Sequence, residues 1–257
     1  MNKPSSVQSG DLANVPAMIL AGGLGTRLRA VFDSGPKSMA PVAGRPFLEY
    51  LLLQISSAGF RQVLLCVGYG RTQVEQWAGD GKRWGLHIHY SAESTPLGTA
   101  GAIKLAAKLI DKEAFLVLNG DSFLAVDLRE LVQEHLRCEA WATIALAKVS
   151  DSTRYGTVVL NPEGKIAAFL EKNAAGVNHS SCSVLVNGGV YVFNKGMLSN
   201  VPEMRTVSLE EEVFPQLISK GVKGFVSDGY FIDIGLPDDF KRAQTELPAH
   251  FSGCYPR

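Results

Sequence analysis

The chain has 257 residues, 46% of them apolar, with 25 basic side chains, 25 acidic ones and a pI near 7.0. That length holds one large domain or two small ones, and the balanced charge argues against nucleic acid as a partner and against an acidic solvated arm. Cys66, Cys138, Cys182 and Cys254 stand far apart, with no CxxC pair and no zinc spacing, so buried thiols in a reducing, cytoplasmic compartment are expected.

Residues 1–14 lack the apolar core of a signal peptide and read as a disordered leader. The longest apolar runs, such as 141–149, are too short to span a bilayer, so no membrane partner is expected. Residues 15–21 form an apolar run ending in glycines, the form of a buried strand feeding a loop. Helical spacing follows over 46–58 and stops at Gly59. Strands are expected at 62–68, 87–92 and 114–118, with helices at 72–77 and 100–110 between them. A helix at 128–137 and a strand at 141–149 complete this half. Strands alternating with helices imply βαβ units and a parallel sheet in an α/β body. Such sheets bind ligands at the carboxyl ends of their strands, which selects the loops after Ala21, Ala92 and Leu118.

Beyond residue 150 the pattern changes. Runs at 157–160 and 165–170 flank Asn161-Pro162-Glu163-Gly164, a hairpin turn. A strand over 184–193 is broken by Gly188-Gly189. A helix over 208–219 has Ser208 as N-cap and Glu211 as partner in a capping box. More strand is expected at 222–234, then a closing helix at 237–245 with proline at its start. The last ten residues, 248–257, read as a loose tail. With no linker and no repeat, 15–247 is expected to be one body with two functional halves, 15–150 and 151–247.

The loop after the first strand reads Ala21-Gly22-Gly23-Leu24-Gly25-Thr26-Arg27-Leu28. Its glycines let backbone N–H groups close on a phosphate, Thr26 adds a hydroxyl, and Arg27 a planar cation. Lys37 follows in Gly35-Pro36-Lys37. No GxxxxGK[ST] run exists, and Leu28 stands where a GxGxxG fingerprint needs its third glycine, which argues against a nicotinamide dehydrogenase. A plain glycine turn stays open on the glycines alone.

Residues 20–28, followed by Pro36-Lys37-Ser38-Met39-Ala40-Pro41-Val42, resemble the signature of the sugar-1-phosphate nucleotidyltransferases, over about residues 16–245. That resemblance implies a single Rossmann-like domain with a mostly parallel mixed sheet flanked by helices, a β-rich sugar-binding addition and no C-terminal β-helix. It implies a nucleoside triphosphate, bound by the 15–150 half, and a sugar 1-phosphate, bound by the 151–247 half, as partners, with Mg²⁺ as cofactor. By the same resemblance Arg27 and Lys37 are catalytic, and Leu20, Ala21, Gly22, Gly23, Gly25 and Thr26 cradle the nucleotide. Asp121, ending Leu118-Asn119-Gly120-Asp121, and Asp233, in Phe231-Ile232-Asp233, interrupt apolar runs where a lone charge is costly, and the matching family aspartates hold the metal. Tyr155, Gly156, Glu171, Lys172 and Asn187 match the sugar-phosphate segments; Asn173 departs from the family's proline after Glu-Lys. Asp238 and Asp239 are better read as helix-dipole partners.

Glu93, Gly98 and Thr99 belong to a segment at a helix start that can present groups to a base. A carboxylate at Glu93 can accept from both N1–H and the 2-amino group of guanine, whereas uracil and thymine offer one donor. The Pro96–Gly101 string is similar to that of guanylyltransferases acting on mannose 1-phosphate or a manno-heptose 1-phosphate. The short chain and the 40–50 segment most resemble the D-glycero-D-manno-heptose 1-phosphate guanylyltransferases, which serve bacterial surface polysaccharides. GTP is accordingly the expected nucleotide. A non-catalytic nucleotide-sugar sensor is the competing class. His87 and His89 share one face of a solvated strand, and His135 reads as a surface residue on a polar helix. The oligomeric state stays open, a homo-oligomer included.

Overall fold

The computed structural model describes residues 12–254 except 24, 26, 27, 29–31, 33, 151–154, 171–182 and 204. A single turn of 3-10 helix at Leu12–Asn14 leads into β1 (Ala17–Leu20). Then come β2 (Pro41–Val42), β3 (Arg45–Pro46), α1 (Phe47–Ser57), β4 (Gln62–Val67), α2 (Arg71–Ala78) and β5 (His87–Ala92). They are followed by α3 (Gly98–Ala106), β6 (Ala114–Asn119), β7 (Ser122–Leu124), α4 (Leu128–Cys138) and β8 (Ala142–Val149). The rest comprises β9 (Thr157–Leu160), β10 (Ile166–Leu170), β11 (Val184–Asn194), α5 (Phe214–Leu217), β12 (Val222–Ser227), β13 (Phe231–Asp233) and α6 (Pro237–Cys254).

The main sheet runs β5-β4-β1-β6-β11-β8-β12. Its first four strands are parallel, β11 is antiparallel to both β6 and β8, and β12 is parallel to β8. The β9–β10 hairpin docks on β11 through Val186↔Thr157. Small ribbons β2–β3 and β7–β13 stand apart. The chain is thus a mixed α/β body around a mostly parallel centre, as the family resemblance implied.

The central strands are apolar throughout because both sheet faces are covered. Ala17 and Ile19 of β1 join Leu65 and Leu118 in one core, while Met18 joins Leu64 and Val117 in the other. Each fully buried Ile or Leu side chain stabilises the fold by about 1.5–3 kcal/mol. Strand β1 lies between β4 and β6, so the chain departs from it in both directions, and the crevice at such a switch point is where open α/β sheets receive ligands.

Several expectations are corrected. The tail is not loose at its start: α6 continues to Cys254 because Ala243, Leu247 and Phe251 recur at helical spacing and are buried. Leu12, in the expected leader, is buried too. The 222–234 run breaks at Asp228–Tyr230 and splits between two sheets. The helix at 208–219 is irregular: a π-helical turn at Leu209–Val213, then α5, then a 3-10 turn to Lys220. Pro215 supplies no N–H to continue an α-helix from the preceding turn. Ser208 Oγ does cap the Glu211 N–H at 3.2 Å, but the Ser208 N–H donates to Glu212 Oε1 at 3.1 Å rather than to Glu211, since the wider turn brings in the later residue. His135 is buried at 3% exposure, on the apolar stripe of α4 with Leu128, Leu131 and Val132, and lies 2.9 Å through Nδ1 from Thr143 Oγ1.

Candidate active site

A cleft of about 780 Å3 opens at the carboxyl ends of the parallel strands. Leu20, Ala21, Gly22, Gly23 and Gly25 enter it from the loop after β1, Gly68 and Tyr69 from the loop after β4, and Glu93 to Pro96, Gly98 and Thr99 from the segment after β5. The loops pack closely: a Cβ on Gly22 would sit 2.8 Å from Gly68 N and 3.2 Å from Glu93 Oε1. Glu93 Oε2 accepts the Leu97 N–H at 2.9 Å and so curls its own loop. Burial raises the Glu93 carboxyl above the usual range, partly offset by that bond.

The Pro96–Thr99 turn is fastened from the other half of the chain. Thr206 Oγ1 donates to Pro96 O at 2.7 Å, Val207 N to Leu97 O at 2.9 Å, and Ala100 N to Val207 O at 3.0 Å. Leu209 N donates to Thr99 Oγ1 at 2.8 Å. Gly98 has φ +70°, and a Cβ there would run into the Val207 carbonyl, so glycine is the residue this junction admits.

Three charges meet beneath the glycine loop. Lys37, on a 3-10 turn (Lys37–Met39), donates to Asp121 Oδ2 at 2.7 Å and to Asp233 Oδ1 at 3.4 Å. The β7–β13 ribbon sets this meeting: Asp233 pairs with Ser122, and Ile234 N donates to Asp121 O at 2.9 Å. Burial pushes the Asp233 carboxyl up and the Asp121 charge adds to that, while Lys37 and the Gly235 N–H, 2.6 Å from Oδ1, pull it down. Two carboxylates already sharing one ammonium offer a place for a small hard cation completed by phosphate oxygens and water, which is how Mg²⁺ is commonly held. Among the described residues no cluster of three or more His, Cys, Asp or Glu forms a protein-only metal cage.

The sugar-side candidates are less concentrated. Tyr155 lines the cleft with its ring 5.5 Å from that of Phe231. Gly156 lies against Leu170 O, where a Cβ would approach to 3.1 Å. Asn187 stands behind the lining: its Oδ1 accepts the Gly189 N–H at 3.0 Å and its Nδ2 donates to Tyr191 Oη at 3.0 Å. Thr26, Arg27, Glu171 and Lys172 lie outside the described residues.

The cleft also contains residues that sequence reading did not select. Tyr69 is 42% exposed at the rim. Asp239, read as a helix-dipole partner in the first turn of α6, is also 1% exposed, paired with Arg242 at 3.0 Å, and part of the lining. Asn119 and Glu210 line it as well. Nothing in the acidic run 210–212 marks one glutamate for this cleft; the π-helical turn decides which of them enters.

The glycine loop, the Lys37–Asp121–Asp233 cluster and the Glu93–Thr99 segment thus share one crevice. A family model described as nucleotidyl transferase matches residues 16–250. A D-glycero-alpha-D-manno-heptose 1-phosphate guanylyltransferase from Aneurinibacillus thermoaerophilus is 40% identical over 90% of this chain and 97% of its own length. A mannose-1-phosphate guanylyltransferase from Mycobacterium tuberculosis is 39% identical over 91% of this chain, which spans only 64% of that longer protein. The crystal structure of HddC from Yersinia pseudotuberculosis complexed with GMP-PN superposes with a TM-score of 0.79 at 30% identity, covering 91% of this chain and 99% of that one. No helix among the described residues is long and apolar enough to cross a membrane.

Proposed function

Because the chain belongs to the nucleotidyl transferase family, we propose that it transfers GMP from GTP to a manno-configured sugar 1-phosphate, giving a GDP-sugar and pyrophosphate. The observation that carries this reading is the meeting of Lys37, Asp121 and Asp233 in the same cleft as the glycine loop and the Glu93–Thr99 segment. Glu93 favours guanine, since a carboxylate can take two donors from its edge. D-glycero-D-manno-heptose 1-phosphate is the preferred acceptor, because the heptose enzyme is matched along 97% of its length. Mannose 1-phosphate is the second reading, supported by 39% identity to an enzyme named for it. The reading includes a cytoplasmic location, where nucleoside triphosphates are supplied.

A sugar phosphate oxygen attacks the α-phosphorus, the bond to pyrophosphate breaks on the opposite side, and no proton has to move because the nucleophile is already an anion. The residues therefore work by positioning and by charge. The backbone of Gly22, Gly23 and Gly25 cradles the triphosphate, Thr26 contributes a hydroxyl, and Arg27 neutralises the leaving group. Lys37 and Lys172 draw in the sugar phosphate, whose ring is met by Tyr155, Gly156 and Glu171, while Asn187 acts from behind the lining by holding the Tyr191 hydroxyl. Asp121 and Asp233 would hold Mg²⁺, which when bound supplies charge neutralisation between the phosphates. Pyrophosphate release with Mg²⁺, four nucleoside triphosphates and a panel of hexose and heptose 1-phosphates tests the proposal. Release with GTP and the manno-heptose phosphate, lowered about a hundredfold in Asp121→Ala, is expected from a loss of ~3 kcal/mol of transition-state stabilisation. Nucleotide binding without release from any pair would make the protein a sensor instead.

A further inference from the structure

Asn119 and Glu210 line the cleft and meet at the hydroxyl of Tyr191, which is buried behind them. Asn187 Nδ2 donates to that hydroxyl at 3.0 Å and Asn119 Nδ2 at 3.3 Å, and the hydroxyl in turn faces Glu210 Oε1 at 3.5 Å. Glu210 is the first acidic residue of the π-helical turn, and single π-turns recur at functional sites. Its other oxygen receives long contacts from Thr99 Oγ1 at 3.4 Å and Ser208 Oγ at 3.3 Å, and the carboxylate also meets its own backbone N–H. All three side-chain contacts are 3.3 Å or longer, so a well-placed ligand donor can outcompete them at a side chain that lines the cleft and is open to it. It faces no ion-pairing lysine or arginine among the described residues, and Asp121 lies near enough to repel it. Beside it, Asn119 Oδ1 is buried with no hydrogen-bond partner. An unpaired buried acceptor is destabilising, and a ligand donor would remove that cost. Two acceptors around one phenol thus ask for a ligand bearing neighbouring hydroxyl groups.

We propose that Glu210, with Asn119 beside it, is a substrate-binding residue that accepts hydrogen bonds from saccharide hydroxyl groups and so fixes the ring relative to the phosphates. The proposal rests on the nucleotidyl-transfer reading for the identity of its ligands. Those ligands carry the chemistry in two places, the ribose of the nucleotide and the ring of the sugar phosphate. In both cases Thr99 and the 206–209 segment connect Glu210 to the base-side turn, so the same carboxylate sits where the two ligands adjoin.

The test is calorimetric binding of GTP, 2′-deoxy-GTP, 3′-deoxy-GTP, mannose 1-phosphate and its 2-deoxy analogue to the wild type, Glu210→Gln and Glu210→Ala. The glutamine retains the size of the side chain and its contacts with Thr99 and Ser208. A lost hydrogen bond to a charged acceptor weakens binding about tenfold to a hundredfold. The expected result is that loss in Glu210→Ala for one ligand, a smaller loss in Glu210→Gln, and its disappearance when the same ligand lacks the matching hydroxyl. Loss tied to the deoxynucleotides assigns the ribose; loss tied to the deoxy sugar phosphate assigns the acceptor. A purely structural Glu210 would weaken normal and deoxy ligands alike, and that outcome overturns the proposal, as does unchanged binding in both variants. Wild-type binding without pyrophosphate release would refute the transferase reading and leave this result standing, whereas absence of binding by any of the five ligands would refute both.

Discussion

Replacing His135 with glutamine should flatten the acid limb of the stability curve. Burial alone depresses the His135 pKa from 6.5 to about 4. The folded state therefore refuses a proton that the unfolded chain accepts between those two values. Stability from this group is fully present above pH 6.5, falls as the pH drops, and is exhausted below about 4. A gap of ~2.5 pH units at about 1.4 kcal/mol per unit gives a loss of about 3 kcal/mol. His135→Gln keeps an amide within reach of Thr143 Oγ1 and removes the titration. Urea unfolding at a series of pH values from neutral to about 4 measures the difference between the two proteins, in which the pH dependence of the carboxylates cancels. Wild type should lose about 3 kcal/mol relative to the variant over that range. Curves that stay parallel within about 0.5 kcal/mol, an ordinary error in such comparisons, would refute the assignment of a neutral, buried imidazole.

Lys37→Met leaves Asp121 and Asp233 facing each other without their cation. Both carboxylates are partly solvated, so metal-free protein should lose only about 1 kcal/mol, read as a lower Tm, and millimolar Mg²⁺ should narrow the gap to wild type. Glu93→Gln should reduce the preference for GTP over ITP by about tenfold, ~1.4 kcal/mol, because the inosine base lacks the 2-amino donor; steady-state kcat/KM for the two nucleotides checks it. Gly98→Ala forces a left-handed residue and a side chain against the Val207 carbonyl. A penalty of about 2 kcal/mol should appear as a raised KM for GTP, while binding of the sugar phosphate alone changes little.

The parallel half of the fold was legible because its strands are short apolar runs punctuated by glycine, and their carboxyl ends point to one crevice on topological grounds. Asp121 and Asp233 were legible as charges interrupting such runs, but not their common contact with Lys37, which depends on the register of a three-residue ribbon too short to leave a pattern. His135 was misread because Gln133, Glu134 and Arg137 surround it in sequence; only its spacing from Leu128 and Leu131 places it on the buried stripe. Glu210 was hidden for a related reason. A π-helical turn shifts which of three consecutive glutamates faces inward, and no 3.6-residue periodicity reveals that.

Strand β11 has a bearing on how the protein is made. It is the strand that closes the free edge of β6, through Val190–Asn194, and it carries β8 on its other side. During synthesis the first half emerges complete with β1, β4, β5 and β6, yet β6 keeps an open hydrogen-bonding edge until the ribosome has delivered Asn194 and enough chain beyond it to clear the exit tunnel. Over that interval the nascent sheet is a template for any extended segment nearby, which makes it the stage at which a chaperone or a stalled neighbouring chain has most to act on.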